Sequence, residues 1–254
     1  MSYPYANQFD TNYENYNAVC PICSFRNIYN RASDLRTFEV IEFMTVKCFD
    51  CNNFFNIAYD LINPVYEYLI FDCHELKVQK RYMYCILNLS QAIEVFLSYC
   101  IEVRLVLQPD KDRIILTAKG FDEISAQFQK AIKGCAFQDL KNILINLFLE
   151  DAFVSEISIR NFITKLEDRC SRDNPKKRER KDQEIRDHLA LDLANLFIKL
   201  KNLQVIPIRN RIVHKDAYRP TLAEVESCQR EVEEVVRGLV KNLEIKDESH
   251  FLIG

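Results

Sequence analysis

Two Cys-x-x-Cys pairs, Cys20-Pro-Ile-Cys23 and Cys48-Phe-Asp-Cys51, constrain this chain more than any other feature. A tight Cys-x-x-Cys turn aims two sulfurs at one point. Two such turns supply the four thiolates of a tetrahedral zinc site. Such a site is closed, because no coordination position is left for a substrate, so its expected role is structural. The spacer from Ser24 to Lys47 is slightly long, and a turn at Arg31-Ala-Ser-Asp34 is expected to absorb the excess. Redox dithiols are the other chemistry open to these pairs.

Within and after the spacer, "TFEVIEFMTVK" roughly alternates and is rich in β-branched and aromatic residues, which predicts a strand. "NFFNIAYDLI" predicts its partner, closed by Asn63-Pro64, and "VYEYLIFD" is expected to add a third strand. With its cysteines, this segment resembles a zinc ribbon. That implies stability and a docking or nucleic-acid surface, not catalysis. Residues 1–16, rich in Tyr, Asn and Asp, are expected to form a mobile leader. A composition shift then separates a ribbon domain, 17–72, from a helical domain, 73–254. No internal repeat is expected. Cys73-His74 lacks a mate for metal binding, and the remaining cysteines read as packing.

Composition excludes several classes. Only four glycines are present, Gly120, Gly134, Gly238 and Gly254, so no cluster exists to cradle phosphates as in a P-loop or a Rossmann turn. A net charge of −3 makes the whole chain no polyanion binder, and any nucleic-acid surface must be local. The first residues lack the basic and apolar regions of a secretory signal. The most apolar stretch, Met83 to Leu107, carries Glu94, Glu102 and Arg104, as a soluble amphipathic helix does. A cytoplasmic protein is expected, in which ten cysteines suggest metal before disulfides.

Beyond residue 72 the apolar period becomes helical. Ile86, Leu89, Ile93, Phe96, Cys100, Val103 and Leu107 recur at three- and four-residue steps, with Pro109-Asp110 expected to end that helix. A second stripe makes it apolar around more than half its circumference, as in a bundle centre or a dimer seam. Further helices are expected over 121–133, 137–150 and 155–169, then a charged loop. A long helix from Ile185 to Leu203 follows, which Pro207 kinks or ends. Thr221-Leu-Ala-Glu224 is a capping box for a last amphipathic helix.

Between those last two helices lies "IRNRIVHKD", residues 208–216, whose polar groups interleave with Ile208, Ile212 and Val213. Arg209-Asn210-Arg211-Ile212-Val213-His214 resembles the signature of the HEPN superfamily, an Arg followed by a polar residue and, four to six residues on, a His. "LSQAIEVFLSYCIEV" is similar to an early helix of that superfamily, and the likeness covers roughly residues 75–245. The resemblance implies a mainly α protein, a HEPN-like helical bundle behind a small N-terminal β zinc-ribbon domain. It also implies a metal-independent endoribonuclease built across a homodimer, acting on RNA as a toxin or host-defence effector, with an antitoxin or regulatory protein as a further partner. Arg209, Asn210 and His214 are then the catalytic residues. A tyrosine two positions past the His marks toxins adenylylated by a nucleotidyltransferase partner; here that position is Asp216.

The chemistry suits these residue types. A histidine with an ordinary pKa near 6.5 moves protons near neutrality. An arginine offers a rigid, permanently charged fork to a phosphate. Five positions along a helix is a turn of about 140°, so Arg209 and His214 do not share one face. Arg211 and Lys215 are expected to contact RNA or support the site. Lys176, Lys177, Arg178, Arg180 and Lys181 form either a phosphate-tracking strip or a solvated loop. Glu94 is either a half-exposed helix acid or a partner for Arg209. A non-catalytic module recruiting RNA or protein, and a DNA-associated regulator led by the ribbon, are the competing readings.

Overall fold

The computed structural model describes residues 15–37, 41, 43–58, 65–115, 117–149, 155–168, 171, 173–214 and 218–243. The chain divides into two compact units, Met1–Tyr68 and Leu69–Gly254. It is mainly α-helical with an N-terminal β module. Most of the expected leader, and Lys215 and Asp216, lie outside the described residues.

The first unit holds two β-hairpins. β1 (Asn15–Val19) pairs antiparallel with β2 (Arg26–Asn30), and β3 (Phe43–Lys47) pairs antiparallel with β4 (Phe54–Ala58). Each hairpin carries one Cys-x-x-Cys pair at its turn. The hairpins are copies of one plan, contrary to the expectation of no repeat. Cys20 corresponds to Cys48, and Ser24 to Asn52, both left-handed at φ 60°. The amides of Cys20 and Cys48 donate to the carbonyls of Phe25 and Asn53, each at 2.9 Å. Apart from the cysteines the copies share little side-chain chemistry, because the repeat resides in backbone geometry. A helical turn, Arg31–Leu35, joins the hairpins at the place where the spacer calls for one, capped by Asn30 Oδ1. Tyr29, Leu35, Ile41, Val46, Phe55 and Ile57 form the small core beside the cysteines.

The segment expected to be a third strand is instead the start of α1 (Val65–Val78). Tyr66, Ile70 and Cys73 are buried there at helical spacing, and that period outweighs the β-propensity of the aromatics. α2 (Tyr82–Glu102) continues through a π-turn, Val103–Leu107, into α3 (Gln108–Lys111). Pro109 therefore does not end the helix. The preceding turn widens, with the Gln108 amide reaching back to the Val103 carbonyl, which makes room for the proline ring. By length and composition alone, Tyr82–Lys111 is apolar enough to cross a membrane. In this fold it is a core helix, with Ile86, Leu89, Ile93, Phe96 and Leu97 fully buried and the helices Phe137–Leu149, Val205–His214 and Leu222–Asn242 packed around α2.

The remaining helices are α4 (Ala118–Ile132), α5 (Phe137–Leu149), α6 (Glu156–Glu167), α7 (Asp182–His188), α8 (Leu191–Lys201), α9 (Val205–His214) and α10 (Leu222–Asn242). The single long helix expected up to Leu203 is two, α7 and α8, broken at extended Leu189. The apolar period runs across the break because both helices pack into one core. Pro207 sits in the first turn of α9, where a missing N–H costs little because those amides lack intrahelical partners. The α10 side chain of Glu231 accepts from the Gln204 amide at 3.0 Å and fixes where α9 begins.

Candidate functional site

The four cysteines of the hairpin turns converge. Their sulfurs all lie within 4.8 Å of one another, with Cys20 and Cys51 at 3.7 Å and Cys23 and Cys48 at 3.6 Å. Zn–S bonds of about 2.3 Å in a tetrahedron require sulfurs roughly 3.8 Å apart. The donor set therefore fits zinc, and no disulfide joins the described cysteines. Its protonation chemistry points the same way. Burial raises the Cys48 thiol, but the amides of Cys51 and Asp50 and the Asn27 side chain outweigh it and bring the value down to about 6. An amide bond from Phe25 favours the Cys23 thiolate, yet burial and the three neighbouring cysteines push that thiol up to about 12. Four thiolates this close repel, and a dication removes the conflict.

Asn27 is the residue that sequence reasoning missed here. It is fully buried; its Oδ1 accepts from the Phe49 amide at 2.8 Å, and its Nδ2 lies 3.6 Å from Cys48 Sγ. The first hairpin thus orients the second hairpin's cysteine. Tyr29 adds a second tie, its hydroxyl donating to the Lys47 carbonyl at 2.9 Å. The only sequence signal was a polar residue on an inward strand position.

In the helical unit, the RNRIVH stretch is helical to its last residue. Ile208 is buried, Arg209 is half-buried, and Asn210, Val213 and His214 are exposed. Arg209 and Asn210 line a cavity of about 250 Å³ together with Ser90 and Glu94 of α2 and Phe137 and Gln138 at the start of α5. Ser90 and Glu94 are one turn apart on α2 and so share a face. Arg209 Nη1 donates to Asn210 Oδ1 at 3.1 Å, which steadies the guanidinium. Glu94 makes no contact ion pair with Arg209, so it is a half-exposed acid in the same cavity rather than the arginine's partner.

His214 is not among the residues lining that cavity. It follows Ile206 and Asn210 along one helical stripe, about 6 Å beyond Asn210 at the open end of α9. Arg211 is committed elsewhere. It ion-pairs with Glu224 at 3.3 Å and stacks 4.0 Å over the Tyr218 ring, while Tyr218 donates its hydroxyl to the same carboxylate. This network ties the end of α9 to the first turn of α10, so Arg211 supports the motif.

Two residues of the basic run are engaged internally. Lys176 donates to the Ala131 carbonyl at 2.7 Å, closing the end of α4. Arg180 donates to Asn146 Oδ1 at 2.7 Å and pairs with Glu184. Lys177, Arg178 and Lys181 remain exposed. Buried Asn142 and Asn146 hold the loop through its carbonyls, a role signalled in the sequence only by asparagines on an apolar helix face, and Asn174 within the loop ties it to the end of the helix Glu156–Glu167.

Compared with known proteins, the chain matches no protein-family model, no curated protein and no solved structure. The fold and its cysteine cluster define a class in physical terms: a mainly α-helical protein with an N-terminal β module able to hold a zinc ion.

Proposed function

We propose that the helical unit is a HEPN-type endoribonuclease that acts as a homodimer and needs no metal for its chemistry. The observation that carries this reading is the pairing of Arg209 and Asn210 in one cavity with an exposed His214 one turn further along the helix. RNA transesterification forms a bond from the 2′-oxygen to phosphorus and breaks the bond to the 5′-oxygen. One group must take the 2′ proton and another must protonate the leaving oxygen. Arg209 would neutralise the phosphorane, and a His214 from each copy would serve as base and acid. Exposed Val213 beside His214 offers apolar surface for the second copy. Zinc in the cysteine module would supply folding free energy only.

The test is cleavage of a labelled RNA by zinc-loaded protein in EDTA, with zinc content and dimer state checked afterwards. Wild type should leave 2′,3′-cyclic phosphate ends. His214→Ala and Arg209→Ala should each lose about 10²-fold or more of the rate with the dimer intact. Intact RNA with wild type, or equal cutting by both variants, would overturn the proposal. A non-catalytic RNA- or protein-binding module is favoured by a separate observation, that His214 stands outside the cavity of the single chain.

A further inference from the structure

The cavity beside Arg209 contains more unpartnered polar groups than holding that arginine requires. Ser90 is only 4% exposed and its hydroxyl has no partner among the described residues. The Glu94 carboxylate and the Gln138 amide, lining the same cavity, likewise bond to no described side chain or backbone group. Lining one concave site, these groups keep their hydrogen-bonding capacity free for the polar atoms of a ligand.

The arrangement specifies the ligand's chemistry. Arg209 makes one end favourable to a phosphate. Glu94 offers two acceptor oxygens and no donor. Phe137, with Ala136 and Ile206, supplies the apolar wall that a flat ring needs. Among the RNA bases only guanine presents two adjacent N–H donors, N1–H and N2–H₂, on its Watson–Crick edge. Cytosine and adenine each offer one amine beside an acceptor that a carboxylate repels, and uracil offers one N–H between two carbonyls.

We propose that this cavity is a guanine-reading subsite, in which Glu94 accepts from the base edge, Ser90 and Gln138 bond its remaining polar atoms, and Arg209 holds the adjoining phosphate. This rests on the ribonuclease reading for its ligand class, and it makes Glu94 a specificity residue rather than a catalytic one.

The experiment is calorimetric titration of the full-length, zinc-loaded protein with 3′-GMP, 3′-AMP, 3′-CMP, 3′-UMP and 3′-IMP, alongside mapping of cleavage ends on a mixed-sequence RNA. The expected result is at least tenfold tighter binding of 3′-GMP than of the other common nucleotides. 3′-IMP, lacking the second donor, should fall between. Glu94→Gln places an amide donor against the guanine donors and should erase the preference, while leaving Tm and the helical circular dichroism unchanged. Ser90→Ala should weaken 3′-GMP binding severalfold without altering the order of preference. Equal binding of all five nucleotides, or a guanine preference that survives Glu94→Gln, would overturn the proposal. Guanine-selective binding without any cleavage would sink the ribonuclease reading and leave the subsite standing. Cleavage with no base preference would do the reverse.

Discussion

At the scale of single residues, Asn27 and Arg211 were misjudged from the sequence in opposite directions. Asn27 gave no signal because asparagine on a strand is ordinary; only folding brings its amide to Cys48 and its carbonyl oxygen to the Phe49 amide. Partners one step outside a metal's ligands commonly change affinity 10- to 100-fold. Asn27→Ala should therefore lower zinc affinity by about 10- to 100-fold in a chelator competition, with four thiols still bound. An unchanged affinity would mean that the bond to Cys48 has no influence on the metal. Arg211 shows the converse. It stood out beside Arg209 in the sequence, and the structure uses it to pair Glu224 and cover Tyr218. Arg211→Ala should lower Tm, because it removes that pairing and stacking, and an unchanged Tm would mean the network does not hold α9 to α10.

At the level of elements, the start of α10 was legible from four letters. Thr221 and Glu224 form the reciprocal cap, the Glu224 amide reaching Thr221 Oγ1 at 3.2 Å and the Thr221 amide reaching Glu224 at 2.8 Å. Thr221→Ala should cost about 1 kcal/mol in chemical denaturation. The Thr221 amide and the Tyr218 hydroxyl hold the Glu224 carboxyl below its ordinary value. A lowered carboxylate contributes stability that is complete above the unfolded value and is lost as pH falls through the folded one. The Tm difference between wild type and Glu224→Gln should accordingly shrink on acidification from neutrality to about pH 3. A difference that grows in acid would contradict this account. Other element boundaries were not legible. Pro109 looked like a stop, and the long stripe ending at Leu203 looked like one helix. Periodicity reports which face is buried and is blind to a break between two helices that bury the same face. Gly238, in the middle of α10, gave no such signal either: a Cβ there would come within 2.7 Å of the Leu196 side-chain tip, which would have to shift.

The molecule as a whole joins a unit whose cysteine cluster fits a stabilising metal to one that buries a large helical core. Removing metal from the cysteine cluster should raise hydrogen exchange throughout β1–β4 while α2, α5 and α10 keep their protection. Cys48→Ser should reproduce that pattern. Uniform loss of protection in both units would show that they fold as one. The sequence by itself determined the cysteine turns, the joining turn at Arg31–Leu35, the helical character beyond residue 72, and the capped last helix, because each depends on local spacing and backbone chemistry. The tertiary structure decided that the hairpins are copies of one plan, that Arg211, Lys176 and Arg180 are engaged internally, and that Ser90, Glu94 and Arg209 share a cavity. Those facts depend on which distant residues meet, and the meeting is set by core packing that no short window of sequence contains.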